Sequence, residues 1–151
     1  MSTLKDQLKA DLTAAMRSRD QVRAGTIRMA LTAVTTEEVA GAQHRELTDD
    51  DVLKVLAKEA KKRREAAEAY TNAGRTELAD REQAELAVLE DYLPKQLDES
   101  ELEAIVREAV AGSGASGPQQ MGVAMKAANA VVAGRAEGGR VAAIVRRVLA
   151  G

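Results

Sequence analysis

The 151-residue chain contains no cysteine, phenylalanine or tryptophan, and Tyr70 and Tyr92 are its only large aromatic residues. Without cysteine, the chain can form no disulfide, no thiolate nucleophile and no cysteine-ligated zinc site. Because both tyrosines are expected on inner helix faces, the chain offers no platform on which single-stranded bases could stack. Any RNA binding must therefore use cations and backbone amides that contact phosphates and sugars.

Catalytic and metal-binding motifs are also missing. The one histidine, His44, lies in a predicted loop, and no Glu-x-x-His motif is present for a helical di-metal site. The glycine-rich run 112–117 lacks the lysine of a phosphate loop, and no Gly-x-Ser-x-Gly nucleophile motif occurs. We therefore expect no catalytic residues, no metal, no cofactor and no turnover by the chain alone.

Long apolar stretches are absent as well. The longest uncharged run, residues 109–125, is interrupted by Gly, Ser, Pro and Gln, so no membrane-spanning segment is expected. The first eight residues carry charges where a signal peptide needs an apolar stretch. The expected location is the cytoplasm.

Alanine, by contrast, is abundant, with 30 residues, and this favours closely packed helices over sheets. Apolar periodicity, helix-start signals at Thr48 and Asp98, and glycine and proline breaks predict seven helices. Their approximate bounds are 2–18, 20–39, 48–72, 76–92, 98–111, 119–133 and 139–150. Pro94 disfavours helical geometry in the residue before it and marks the domain boundary. The predicted fold is all-α, with a four-helix amino-terminal domain (1–94) followed by a three-helix tail domain (98–151).

Charged residues interrupt the apolar faces of the third and fourth helices. Glu59 and Arg63 lie within one face, and Glu82 and Glu85 lie within the leucine stripe of the other. If these helices form a hairpin around Gly74, Arg63 and Glu85 meet, because they are equally far from the turn. Charges with little access to water need partners, so we predict a structural ionic cluster of these four residues. Acid–base chemistry by the paired carboxylates is the alternative.

Basic residues are unevenly distributed, although the formal net charge is −2. From residue 109 onward there are five basic residues and one acid, Glu137. The third helix contains a second basic concentration, at positions 54, 58 and 61–64. On charge alone, each concentration is more typical of a solvated helix surface than of a binding site.

Several motifs, in order along nearly the whole chain, resemble the GatB/YqeY family. They are Lys58-Glu-Ala-Lys-Lys-Arg63, Tyr70, Gly74-Arg75-x-x-Leu78, Glu82, Glu85, Tyr92-Leu-Pro94-x-Gln-Leu97, Met121-Gly122-Val-Ala-Met125-Lys126, Gly134-Arg135-Ala-Glu-Gly138 and Ile144-Val145-x-x-x-Leu149. The resemblance implies a free-standing YqeY-like protein. The same module forms the carboxy-terminal region of the GatB component of the tRNA-dependent amidotransferase, where the tail engages tRNA and the chemistry resides in other domains.

The resemblance therefore implies a non-catalytic module associated with tRNA or another structured RNA, although the family label is a glutamine-dependent carbon–nitrogen ligase. Within the tail, cations and bare glycine backbone are suited to phosphate contacts. The candidate RNA-binding residues are Gly122, Lys126, Gly134, Arg135, Arg140, Arg146 and Arg147.

Other interpretations stay open at this point. Alanine-rich helix faces and net negative charge also suit a protein-interaction or scaffold module, and the chain could be an accessory partner of an amidotransferase. The tail glycines have an alternative role in permitting tight helix packing, with arginines that only solubilise the tail.

Overall fold

The computed structural model describes residues 3–151, and within them it contains seven α-helices, one three-residue 3-10 turn and no strand. The helices are α1 (Leu4–Arg17), α2 (Gln21–Glu38), α3 (Asp49–Asn72), α4 (Thr76–Glu90), α5 (Glu99–Ser113), α6 (Met121–Val132) and α7 (Gly138–Ala150). The all-α prediction is confirmed. No helix in the described range is long and apolar enough to cross a membrane.

Helix ends lie close to their predicted positions because local capping chemistry sets them. The side chains of Thr3, Asp20, Thr48 and Asp98 each accept a hydrogen bond from a backbone N–H in the first turn that follows, as expected of good N-caps. Residue 2, the predicted start of the first helix, lies outside the described residues. The predicted sixth helix begins instead with the 3-10 turn Pro118–Gln120, and regular α-helix starts at Met121.

Contacts within the chain separate it into two compact units, one that ends at Leu93 (unit 1) and one spanning Pro94–Gly151 (unit 2). Helices α1–α4 belong to unit 1, and α5–α7 belong to unit 2. Each unit has its own aliphatic core. The fully buried large side chains are Leu8, Ile27, Val34, Val52, Leu56 and Leu89 in unit 1, and Leu102, Val106, Val132, Val141, Ile144 and Val145 in unit 2.

An ion pair joins the first two helices of unit 1. The Glu38 carboxylate at the end of α2 is 3% exposed and accepts hydrogen bonds from Lys5 Nζ at 2.8 and 3.1 Å. The hydrogen bond from Lys5 lowers the pKa of Glu38, and this outweighs the opposing effect of desolvation. The charged form of Glu38 is therefore part of the packed structure of unit 1.

We expect this pair to contribute to the pH dependence of unfolding. Because folding lowers the Glu38 pKa, its contribution to stability is fully present above the ordinary carboxyl value of 4.5. It is lost as the pH falls through the lower pKa of the folded chain. Glu38→Gln should destabilise the chain at pH 7 and weaken the dependence of stability on pH below 5. Urea unfolding from pH 3 to 7 measures both effects.

The matched control is Glu37→Gln, since Glu37 is the exposed neighbour whose contact with Arg45 is 3.8 Å long. That variant should retain the parental acid profile. If both variants show the same profile as the parent, the pair does not contribute as described.

Candidate functional site

Helices α3 and α4 form a hairpin around Gly74, whose φ of +74° reverses the chain at the end of α3. The Arg63 side chain of α3 is enclosed in this hairpin, and the residue is 8% exposed. Its Nε lies 3.0 Å from Glu85 and 3.7 Å from Glu82, both on α4. Its Nη1 lies 3.5 Å from Glu59, one turn earlier on α3. The structure thus brings together all four residues of the predicted ionic cluster.

Charge attraction, more than hydrogen-bond alignment, holds the cluster. Arg63 Nε is fully buried and has no hydrogen bond of good geometry, despite its short distance to Glu85. The far end of the guanidinium donates from Nη2 to the sulfur of Met29 on α2, at 3.8 Å. Among the described residues, no group of three acidic or histidine side chains is arranged to hold a metal ion. The geometry therefore supports a structural role that links α2, α3 and α4.

The two tail arginines of α7 closest to α5 have acidic partners. Arg140 Nη2 lies 3.0 Å from Glu99, and its guanidinium also lies 3.4 Å from the Leu97 carbonyl oxygen. Arg147 lies 3.3 Å from Glu103. The pKa of Glu103 is lowered, first by its hydrogen bond from Arg107 and then by the charge of Arg147. Arg140 and Arg147 thus share one flank of α7, but neither is a free cation in this conformation.

Arg135 and Gly134 have local structural roles at the end of α6. The Arg135 guanidinium donates to the carbonyls of Val132 and Val131, at 3.0 and 2.8 Å. These are carbonyls that the end of a helix leaves without a partner. Gly134 has a φ of +79°, in the left-handed region that favours glycine. Both residues were predicted as RNA contacts, and their positions are explained by the turn that follows α6.

Lys126 and Arg146 are exposed, and no described residue forms an ion pair or hydrogen bond with either side chain. Near the starts of α6 and α7, a Cβ added to Gly122, Gly138 or Gly139 would meet no other part of the chain within 4 Å. Tight packing within the chain therefore does not account for glycine at these three positions. The amino end of α7 also has no side-chain cap and no acidic residue in its first turn.

Sequence reasoning missed two features of unit 1. Tyr92, in the Tyr-Leu-Pro motif, is half-buried and donates from its hydroxyl to Asp11 at 2.5 Å. Desolvation, followed by this hydrogen bond, raises the pKa of Tyr92 to about 12. The second feature is an open groove of about 730 Å³ between α2 and α3. In the sequence, the only sign of this groove is a glycine and a methionine, Gly25 and Met29, spaced one helical turn apart on α2.

We expect Arg63→Ala to cost about 3–5 kcal/mol of unfolding free energy, because it leaves three poorly solvated carboxylates without their shared partner. Denaturant unfolding at pH 7 measures the loss. Lys61→Ala is the matched control, since the exposed Lys61 only approaches Glu65 at 4.0 Å, and surface changes of this kind stay within about 0.5 kcal/mol. Equal stability of the two variants would show that the cluster is solvated.

Comparisons with known proteins place the sequence in a family. A family model described as Yqey-like protein matches residues 5–149. The chain is 33% identical over 93 residues to the uncharacterized protein C22F3.15 of Schizosaccharomyces pombe. The aligned region covers 61% of this chain and 73% of that protein.

Two further relatives are both named altered inheritance of mitochondria protein 41, mitochondrial. The protein from Pyrenophora tritici-repentis is 34% identical over 110 residues, covering 70% of this chain and 59% of that protein. The protein from Meyerozyma guilliermondii is 34% identical over 86 residues, covering 57% of this chain and 44% of that protein. The match thus spans about half the length of these two relatives. Since the family model covers nearly the whole chain, the chain belongs to the YqeY-like protein family.

Proposed function

We propose that the chain is a non-catalytic module that binds structured RNA, with tRNA as the class implied by its family resemblance, through unit 2. The observation that carries the proposal is the open, bare backbone at Gly122, Gly138 and Gly139, in a unit whose exposed cations Lys126 and Arg146 are unpaired among the described residues. A phosphate can approach a glycine amide more closely than it can approach an amide beside a larger residue.

The start of α7 is the best-supported contact point. Its first amides point out of the helix, where the helix dipole favours negative charge. The N-cap residue, Glu137, makes no side-chain cap hydrogen bond to these amides, so an external phosphate would not have to displace a capping bond from that residue. Arg140 follows two glycines at this end and adds a full positive charge there. Amides and a guanidinium together bind phosphate in a manner that needs no aromatic residue.

Arg140 and Arg147 would contact RNA by exchanging partners. Both of their ion pairs are at the surface, where a single carboxylate holds a guanidinium only weakly. A phosphate backbone with many charges competes with Glu99 and Glu103 for the same guanidinium groups. In this account the acids of α5 weaken RNA binding and limit it to strongly anionic partners, while Lys126 and Arg146 contribute without competition.

Salt dependence separates phosphate contact from a merely solubilising role. Binding of a purified tRNA mixture would be measured across salt concentrations for the parent and for Lys126→Ala with Arg146→Ala. The double variant should bind more weakly, and its salt slope should be shallower by roughly two units, about one for each contact removed. The control is Lys9→Ala with Arg17→Ala in unit 1, two exposed cations whose loss should leave the slope unchanged.

The opposite change tests the exchange of partners. Glu99→Gln with Glu103→Gln releases Arg140 and Arg147 and should strengthen tRNA binding several-fold. Absence of binding by the parent would contradict the proposed function, as would an unchanged slope in the Lys126 and Arg146 variant. Unchanged binding by the glutamine variant would contradict only the exchange step.

Amidotransferase chemistry by the chain alone is not part of the proposal. The sequence contains no cysteine to attack glutamine, and no other nucleophile arrangement or phosphate loop replaces it. The ligase label of the family would then describe assemblies in which other domains supply the chemistry.

A further inference from the structure

The open groove in unit 1 has an apolar floor that the structure leaves uncovered. Met29 of α2, which lines this groove, is 48% exposed, and the half-buried Ala33 and Val55 add apolar lining from α2 and α3. A second hollow of about 350 Å³, lined by Met16 of α1, shares Arg28 with this groove. Met16 is 56% exposed. Exposed methionines are typical of protein surfaces that adapt to a bound helix.

Five charged residues line the groove: the cations Arg28, Lys58 and Lys62, and the acids Glu37 and Glu59. Arg28 and Lys58 are exposed, and neither side chain has an ion pair or hydrogen bond with any described residue. The other three have partners: Glu37 approaches Arg45 at 3.8 Å, and Glu59 lies 3.3 Å from Lys62 and 3.5 Å from Arg63. The rim therefore presents uncompensated positive charge on both α2 and α3.

Gly25 gives the groove a close approach to the α2 backbone. It lies inside a helix, where glycine is less favourable than alanine. A Cβ added there would meet nothing within 4 Å, so the chain's own packing does not require glycine. Open backbone at the edge of an apolar floor leaves room for the side chain of an occupant.

We propose that the groove between α2 and α3 binds an amphipathic α-helix of a partner protein. This helix places apolar side chains on Met29, Ala33 and Val55 and acidic side chains opposite Arg28 and Lys58. It follows the helix-in-groove mode of recognition, in which apolar anchors recur along one face. Charge complementarity at the rim then sets the choice of partner. The proposal concerns unit 1 and does not depend on RNA binding by unit 2.

Nucleic acid is the less suitable occupant of this groove. The floor has no aromatic side chain on which a base could stack, and burying phosphates against Met29 and Val55 would desolvate charge without hydrogen-bond partners. An acidic helix avoids both costs, because its backbone groups are satisfied internally and its carboxylates stay at the rim.

The test uses the full chain with ¹³C-methyl-labelled methionine and two synthetic helical peptides of identical apolar face. One peptide has glutamate on both flanks of that face, and the other has lysine at the same positions. The acidic peptide should shift the Met29 methyl resonance in a saturable way and leave the Met125 methyl of unit 2 unchanged. The lysine peptide should bind at least about tenfold more weakly.

Two variant pairs locate the binding. Arg28→Glu with Lys58→Glu should weaken binding of the acidic peptide by about tenfold or more and strengthen binding of the lysine peptide. Lys9→Glu with Lys95→Glu makes the same change in net charge and should have neither effect.

Gly25→Ala should weaken peptide binding several-fold without lowering the Tm. Gly112→Ala, at a helical glycine of α5 whose surroundings are equally open, should leave binding unchanged.

Other occupants would show themselves in the same experiment. Equal binding of the two peptides, or no Met29 shift at millimolar acidic peptide, overturns the proposal. A Met29 shift caused by added tRNA instead of peptide would assign the groove to nucleic acid. A shift that depends only on chain concentration would assign it to a second copy of the chain.

Discussion

Arg63 places a charged guanidinium between helices whose other inward-facing residues are almost all aliphatic. A buried charge of this kind costs free energy unless carboxylates surround it, and here Glu59, Glu82 and Glu85 do so. Apolar residues of similar volume could fill the same space. What the ionic cluster adds is register, since only one alignment of α3 with α4 brings Arg63 against Glu85. The contact of Arg63 with Met29 extends this constraint to α2 and so to the wall of the groove.

The two units combine few large side chains with exposed, chemically distinct surfaces. With small aliphatic cores, the units also rely on specific ion pairs and on the side-chain caps of α1, α2, α3 and α5 for a defined structure. In unit 2 the ion pairs of Arg140 and Arg147 also bear on function, because the same guanidinium groups are candidates for phosphate contact. Because acids on α5 already pair with these arginines, an anionic ligand would need more negative charge in order to displace the acids. Unit 1 instead leaves Arg28 and Lys58 uncompensated beside an apolar floor, a combination suited to a protein helix.

Much of the fold follows from local sequence signals. Thr48 and Asp98 mark helix starts because their side chains accept first-turn amide hydrogens, and Gly74 fixes the turn from which the positions of Arg63 and Glu85 could be counted. Features that depend on how separate helices pack could not be predicted in this way. The pairing of Arg140 with Glu99 requires the alignment of α7 with α5, and the use of Arg135 to cap α6 depends on the conformation of a turn. The groove is lined by residues of both α2 and α3, and no periodicity within one helix reports such a feature.

The most direct test of the proposed RNA interface is an amide chemical-shift titration of the ¹⁵N-labelled chain with tRNA. Glycine amides report on both units, with Gly25 and Gly74 in unit 1 and Gly122, Gly138 and Gly139 in unit 2. The account predicts that the three glycine signals of unit 2 shift or broaden at substoichiometric tRNA, while those of Gly25 and Gly74 stay unchanged. Shifts confined to Gly25 and its neighbours, or no shift in either unit, would contradict it.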